Sequence, residues 1–116
     1  MPNGPQIARV EIKPDTPMCW LHLGSRKTYA LVDSGADISL ISKETFDKIP
    51  RKHIREFSTT DCTPLQSVSG HKLENFGTAV LQVDIAGFHQ SYRFQIVKGL
   101  KNQCILGNDF LTEFSA

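Results

Sequence analysis

One acidic side chain, Asp33, directly follows an apolar run, in a segment that reads ALVDSGADISLI over residues 30–41. A carboxylate between two hydrophobic runs is costly unless it is paired or hydrogen-bonded. Gly35 allows a tight turn and close backbone approach, and Ser34 offers a hydroxyl and a backbone N–H beside the acid. The alternative is a plain Asp-Ser-Gly turn between strands. The apolar flanks favour a buried, supported acid, a group suited to proton transfer.

The elements around this acid have mostly strand patterns. Residues 7–12 alternate apolar and polar side chains. Two strand patterns, at residues 18–23 and 28–32, flank a hairpin loop at 24–27. A long strand pattern at residues 73–85 precedes Gly87. Residues 89–97 follow as its partner strand, with Tyr92, Phe94 and Ile96 on one face. Trp20, on a strand, is expected in the core or at a dimer edge.

Helical patterns are few. Residues 42–49 begin with Ser42 as a possible N-cap and end before Pro50, and residues 108–114 could form a second short helix. The sequence therefore predicts an all-β domain, a folded-over sheet or small barrel with one or two short helices. We expect a flexible N-terminus over residues 1–6 and one domain over residues 7–116.

Composition excludes several function classes. The 116 residues carry 13 Lys and Arg against 12 Asp and Glu, so the net charge of +1 points neither to nucleic acid nor to a membrane surface. The three cysteines and four histidines are scattered, which argues against a disulfide framework, a metal site or any other cofactor. With no signal peptide and no apolar run near ~18 residues, a cytoplasmic location is expected.

Three separated motifs, in this order, resemble the retropepsins, the aspartic proteases of retroviruses and LTR retrotransposons. Residues 31–37, LVDSGAD, are similar to the active-site loop of that family. Residues 64–73, PLQSVSGHKL, stand in the place of its glycine-containing flap hairpin. Residues 104–111, CILGNDFL, resemble the segment that closes the fold, in a form most like the Ty3/gypsy retrotransposon proteases. The resemblance implies a closed, retropepsin-like β-barrel with a flap.

Two departures from the family pattern affect these expectations. Asn108 stands where orthoretroviral proteases usually have Arg, so an ion pair from that position to Asp37 is absent or rebuilt, and Asp37 could instead accept a hydrogen bond from the substrate backbone. The chain also stops at Ala116, too soon for the interleaved C-terminal strand of retroviral proteases. Either the sequence is a trimmed piece of a longer chain, or the dimer is held differently and more weakly.

A single Asp-Ser-Gly loop implies a homodimer. Aspartic protease chemistry needs two facing carboxylates that share one proton, and this chain has one such loop. A two-fold axis that relates Asp33 to its symmetry mate would supply the second carboxylate.

Site residues follow from the resemblance. Asp33 is the expected catalytic acid or base, and Ser34 is expected to hydrogen-bond across the dimer axis. The Gly35 carbonyl and Asp37, with Ala36 between them, would bind the substrate backbone. The flap would fold over the peptide, and Ile105 would line the site while it backs the loop together with Leu106 and Gly107. The flap residues in question are Ser67, Val68, Ser69, Gly70 and His71.

The expected function is therefore endoproteolysis of extended polypeptides, with a Gag-Pol type polyprotein as the substrate, in the cytoplasm or inside virus-like particles. Apolar side chains near the scissile bond would enter pockets lined by residues such as Leu31, Val68 and Ile105. The first alternative is a retropepsin-like dimerisation or peptide-binding module with little or no catalysis. The second is an unrelated β-barrel with an accidental Asp-Ser-Gly turn.

Overall fold

The computed structural model describes residues 7–68, 70 and 72–114. The expected flexible segment, residues 1–6, lies outside the described residues. Strands dominate the described part, with two short helices and a 3-10 turn at Arg51–His53. The elements are β1 (Ala8–Val10), β2 (Met18–Leu23), β3 (Arg26–Val32), β4 (Leu40–Ser42), α1 (Lys43–Asp47), β5 (Ile54–Ser58), β6 (Leu65–Ser67), β7 (Glu74–Ile85), β8 (Phe88–Lys98), β9 (Cys104–Leu106) and α2 (Asn108–Phe114).

Six strands form a closed barrel, in the order β2-β3-β9-β4-β8-β7. The ring closes where β7 returns to β2, through the pairs His22↔Asp84 and Leu23↔Val83. β3 runs parallel to β9, β4 runs parallel to β8, and the other neighbours in the ring are antiparallel. β5 extends the sheet beyond β7. The all-β barrel predicted from the sequence is confirmed.

The β2–β3 hairpin buries alternate side chains, as the period of two in a strand requires. Leu21 and Leu23 are buried in the barrel, whereas Trp20, directly before Leu21, is 58% exposed. Trp20 stacks on Tyr29 of β3 with ring centroids 4.5 Å apart. The expectation of Trp20 in the core is therefore wrong, because the odd positions of β2 face inward and the even positions face outward.

The β7–β8 hairpin is the longest ladder of the fold and turns at Ala86 and Gly87, with φ of 48° and 85°. Gly77 lies at an irregularity in this ladder with φ of 135°, and a Cβ there would lie 2.1 Å from the Ser58 carbonyl oxygen. Only glycine lets β5 approach β7 this closely.

Both helices form where the sequence predicts them. The Ser42 hydroxyl caps α1 by accepting a hydrogen bond from the Thr45 N–H at 3.1 Å. α2 packs Phe110 and Phe114 edge-on against Tyr92 of β8. Neither helix in the described part of the chain has the length and apolar character to cross a membrane.

A two-stranded sheet lies apart from the barrel ladder. β1 and β6 pair in parallel, with Ala8 opposite Leu65 and Val10 opposite Ser67. Val10 belongs to a second apolar cluster, separate from the barrel core, whose other buried members come from β3, β4, β8, β9 and two loops. This cluster lies against the loop that carries Asp33, because it includes Leu31 and Ala36 on the two sides of that acid.

Candidate active site

Asp33 directly follows β3 and is held at its backbone by β9. Its N–H donates to the Leu106 carbonyl at 3.0 Å, and its carbonyl accepts from the Ala36 N–H at 3.2 Å. The parallel β3–β9 pairing, with Val32 opposite Leu106, brings these groups together. The chain therefore turns at residues 33–36, and β4 begins at Leu40.

Asp33 is buried, with 2% of its surface exposed. Its Oδ1 accepts a hydrogen bond from the Gly35 N–H at 2.9 Å. Its Oδ2 is the one buried side-chain oxygen or nitrogen without a hydrogen-bond partner in residues 7–68, 70 and 72–114. Burial raises the pKa of Asp33 above its ordinary value, and the Gly35 N–H opposes that rise. Oδ1 is thus held by a hydrogen bond, whereas Oδ2 is buried without a partner in the described residues.

Gly35 is required by close packing in the loop. A Cβ on this residue would lie 2.5 Å from the Glu11 carbonyl oxygen and 3.1 Å from Asp33 Oδ1. Any other residue would push the backbone at Glu11, directly after β1, or the Asp33 carboxylate out of place. The glycine predicted to make the turn is therefore also needed for the approach of a second chain segment to the acid.

The junction between β9 and α2 supports the loop from beneath. Asn108 donates its side-chain N–H to the Ser34 carbonyl at 2.7 Å, and its backbone N–H to the Ala36 carbonyl at 2.7 Å. The Arg expected from orthoretroviral proteases is thus replaced by an amide that holds the loop backbone. The Ser34 side chain is exposed beside the buried acid, and its role across a dimer axis stays a prediction.

A buried polar cluster, Ser39 with Gly107 and Asp109, completes this support. The Ser39 hydroxyl donates to Asp109 Oδ1 at 2.7 Å and accepts from the Gly107 N–H at 3.0 Å. The Ser39 N–H also donates to Asp109 Oδ2 at 3.2 Å. Sequence analysis did not single out Ser39 or Asp109. The available signal was a polar serine in the apolar run Ile38-Ser39-Leu40, since a buried hydroxyl requires a partner.

The two groups expected to bind substrate backbone are both engaged. The Gly35 carbonyl accepts from the Glu11 N–H at 3.1 Å. Asp37 Oδ2 accepts from the Arg9 N–H at 2.8 Å, and the Asp37 N–H donates to the Arg9 carbonyl at 2.8 Å. Ala36, fully buried, forms an isolated bridge with Val10. The groups therefore do bind an extended strand, and that strand is β1 of the same chain.

The expected flap lies over this strand. β6 pairs with β1, and the Val68 N–H donates to the Val10 carbonyl at 2.9 Å. Gly70 has φ of 83°, and a Cβ there would meet nothing within 4 Å. Ser67 lies at the end of β6, whereas Ser69 and His71 lie outside the described residues.

The expected lining residues differ in accessibility. Leu31 and Ile105 are buried and belong to the same apolar cluster as Val10, with Ile105 at 0% exposed, whereas Val68 is 45% exposed. Ile105 therefore lies beneath the strand-binding face and is not at the surface. In the described part of the chain, no three His, Cys, Asp or Glu side chains are grouped so that they could hold a metal ion.

Comparisons with known proteins agree with this geometry. A family model described as "Retroviral aspartyl protease" matches residues 13–116. Among solved structures, the chain is similar to EIAV protease complexed with the inhibitor HBY-793, at a TM-score of 0.70 and 18% identity over 89% of this chain and 91% of that one. It is also similar to the retroviral protease-like domain of Ddi1 from Leishmania major, at a TM-score of 0.64 and 18% identity over 90% of this chain and 77% of that one.

No curated protein matches the chain. At 18% identity the two structures establish a common fold, whereas the family model covers most of the sequence. Together with the supported acid at the end of β3, that match identifies the chain as a member of the retroviral aspartyl protease family, the retropepsins.

Proposed function

We propose that the protein is an aspartic endopeptidase that acts as a homodimer and cleaves extended polypeptides. The observation that carries the proposal is the Asp33 carboxylate, whose Oδ1 is held by the Gly35 N–H and whose Oδ2 is buried without a partner in the described residues. A buried oxygen of this kind is costly for the isolated protomer. A second carboxylate and a water shared between two protomers would satisfy it.

The chemistry follows from two such carboxylates facing each other. They cannot both ionise at a separation of roughly 3 Å, so they hold one proton between them. The ionised Asp33 takes a proton from water, which then attacks the scissile carbonyl, while the protonated Asp33 of the other protomer donates to the carbonyl oxygen. Burial, which raises the pKa of Asp33, helps to keep the shared proton in place.

Peptide binding is supported by the groups that already bind β1. The Gly35 carbonyl and both polar groups of Asp37 are spaced to bind an extended backbone, and β6 lies on the other side of that backbone. A substrate strand would thus be added between loop and flap. By family, the substrate is a Gag-Pol type polyprotein, processed in the cytoplasm or inside virus-like particles.

The test is cleavage of an apolar peptide library between pH 4 and 7, at several protein concentrations, with and without pepstatin. A dimeric aspartic protease gives acid-favoured, pepstatin-sensitive cleavage whose specific activity rises with protein concentration. Asp33→Asn should lower kcat by at least about 1,000-fold, whereas Asp61→Asn, at an exposed position, should leave it unchanged. Full cleavage by Asp33→Asn would refute the proposal.

A second candidate function is peptide binding or dimerisation without catalysis. It is favoured by the likeness to the protease-like domain of Ddi1 and by the strand already bound at the groove. In that case a folded, dimeric protein would cleave nothing under any of these conditions, and Asp33→Asn would leave peptide binding intact.

A further inference from the structure

The chain fills its own peptide groove. We use "groove" for the space between the loop at residues 35–37 and β6 with Val68. Four hydrogen bonds join the backbone of residues 9–11 to this groove, three to its backbone and one to the Asp37 side chain, and each is of the kind an added substrate strand would make. They run from the Arg9 N–H to Asp37 Oδ2, from the Asp37 N–H to the Arg9 carbonyl, from the Glu11 N–H to the Gly35 carbonyl, and from the Val68 N–H to the Val10 carbonyl.

Side chains of this strand alternate as those of a bound peptide would. Ala8 and Val10 face inward and are 5% and 3% exposed, whereas the Arg9 side chain is 61% exposed. Val10 completes an apolar cluster with Leu31, Leu40, Val97, Leu100 and Ile105. These residues form a pocket sized and lined for a small branched aliphatic side chain. Next to Val10, a cavity of about 260 Å³ extends past Ile12 towards Leu73 and Leu100.

The strand ends at the catalytic acid. The Glu11 carbonyl oxygen lies at the space a Cβ of Gly35 would occupy, next to Asp33 Oδ1. Beyond it the chain turns, with the Thr16 N–H and hydroxyl both donating to the Lys13 carbonyl, and returns to β2. Residues 8–11 therefore cover the groove up to Asp33 and do not extend past it.

We propose that residues 8–11 are a built-in occupant of the groove, which a substrate must displace before it can bind. This inference rests on the groove being the peptide site proposed above. In a two-fold dimer each protomer covers its own half, so substrate entry requires both strands to leave. The register also defines the preferred substrate. We expect an extended segment with a small aliphatic residue immediately before the residue whose N–H bonds to the Gly35 carbonyl, as Val10 precedes Glu11.

The first test removes the apolar anchor in the full chain. Val10→Asp should leave the barrel folded, as judged by a cooperative unfolding transition, while the amides of Arg9 and Glu11 lose their protection from hydrogen exchange. Trypsin should then cut after Arg9 at least tenfold faster. The matched variant Ile7→Asp alters a side chain that is 62% exposed, and should change neither result. Loss of the folded barrel in Val10→Asp would show instead that β1 is a structural strand and would overturn the proposal.

The second test measures occupancy without catalysis. A labelled synthetic peptide of residues 7–12 is titrated into the full chain carrying Asp33→Asn, with and without Val10→Asp. We expect at least tenfold tighter binding to the double variant, and no binding of a peptide with Asp in place of Val10. Equal affinity for both chains would overturn the proposal. Because Asp33→Asn removes cleavage in any case, this result is independent of whether the protein is a protease.

Discussion

The Ser39 hydroxyl should be the most important uncharged group in the support of the active-site loop. It donates to Asp109 at 2.7 Å and accepts from the buried Gly107 N–H at 3.0 Å, and Ser39 is 1% exposed. Ser39→Ala removes both bonds while it leaves the Ser39 N–H bonded to Asp109. The loop and the β9–α2 junction would then be joined by fewer contacts.

The expected cost follows from the two lost bonds. A hydrogen bond to a charged group contributes about 1.5–3 kcal/mol, and a buried N–H left without an acceptor costs about 1–3 kcal/mol. Some relaxation will recover part of this, so Ser39→Ala should lower the free energy of unfolding by about 2–4 kcal/mol. Asp109→Asn weakens the same bond from the other side. The double variant should therefore lose about 1–2 kcal/mol less than the sum of the single variants.

Urea unfolding, followed by far-UV circular dichroism at one fixed protomer concentration, measures these values. Ser91→Ala, on β8 outside this cluster, is the matched control and should change stability by less than about 0.5 kcal/mol. A Ser39→Ala cost equal to that of the control, or strictly additive single and double variants, would show that the cluster does not support the loop as described.

Three further predictions concern the acid, a glycine and the thiols. Burial raises the pKa of Asp33, so the stability that comes from its protonation is present below roughly pH 4 and is lost as the pH rises through the folded-state pKa. Asp33→Asn should therefore be more stable than the parent chain in urea unfolding at pH 7. Near pH 3 the difference in stability should vanish. Gly87→Ala meets only the strain of a positive φ and should lower the free energy of unfolding by about 1 kcal/mol. In Gly77→Ala the new Cβ also lies 2.1 Å from the Ser58 carbonyl oxygen, so the loss should be at least about 3 kcal/mol by the same measurement. Equal losses would contradict the close approach of β5 to β7. Cys62 is exposed, whereas Cys104 is buried with its pKa raised by desolvation. Mass spectrometry after brief iodoacetamide treatment should therefore find Cys62 modified and Cys104 intact until urea is added. Early modification of Cys104 would show that β9 opens readily.

Local features of the fold were predictable from the sequence because short-range chemistry determines them. The hairpin at residues 24–27 and the Ser42 cap of α1 depend on neighbours within a few residues. The pattern of Phe94 and Ile96 likewise reports the inward face of β8. The strand pattern left a folded-over sheet and a small barrel both open, and the retropepsin motifs favoured the closed barrel, because they carry information on long-range pairing that periodicity lacks.

Partners distant in the chain were not predictable in the same way. The strand pattern at residues 7–12 was recognised, yet nothing in its alternation specifies that it pairs with β6 and with the loop at Asp33. Trp20 shows another limit of prediction from residue type. Its large apolar side chain suggests burial, whereas its position in β2 places it on the outer face of the barrel. Ser39 and Asp109 became a pair only through the β4–β9 contact.

Those distant contacts also determine when, during synthesis of the chain, the loop of Asp33 can reach its folded arrangement. The partners that hold the loop of Asp33 lie 70 to 74 residues later in the chain. At a synthesis rate of about 5–20 residues per second, the acid leaves the ribosome about 4–15 s before them. Until residues 104–109 have left the ribosome, the loop of Asp33 lacks the hydrogen-bond partners that hold it in the folded chain. The arrangement that buries the Asp33 carboxylate can therefore form only when almost the whole domain has been synthesised.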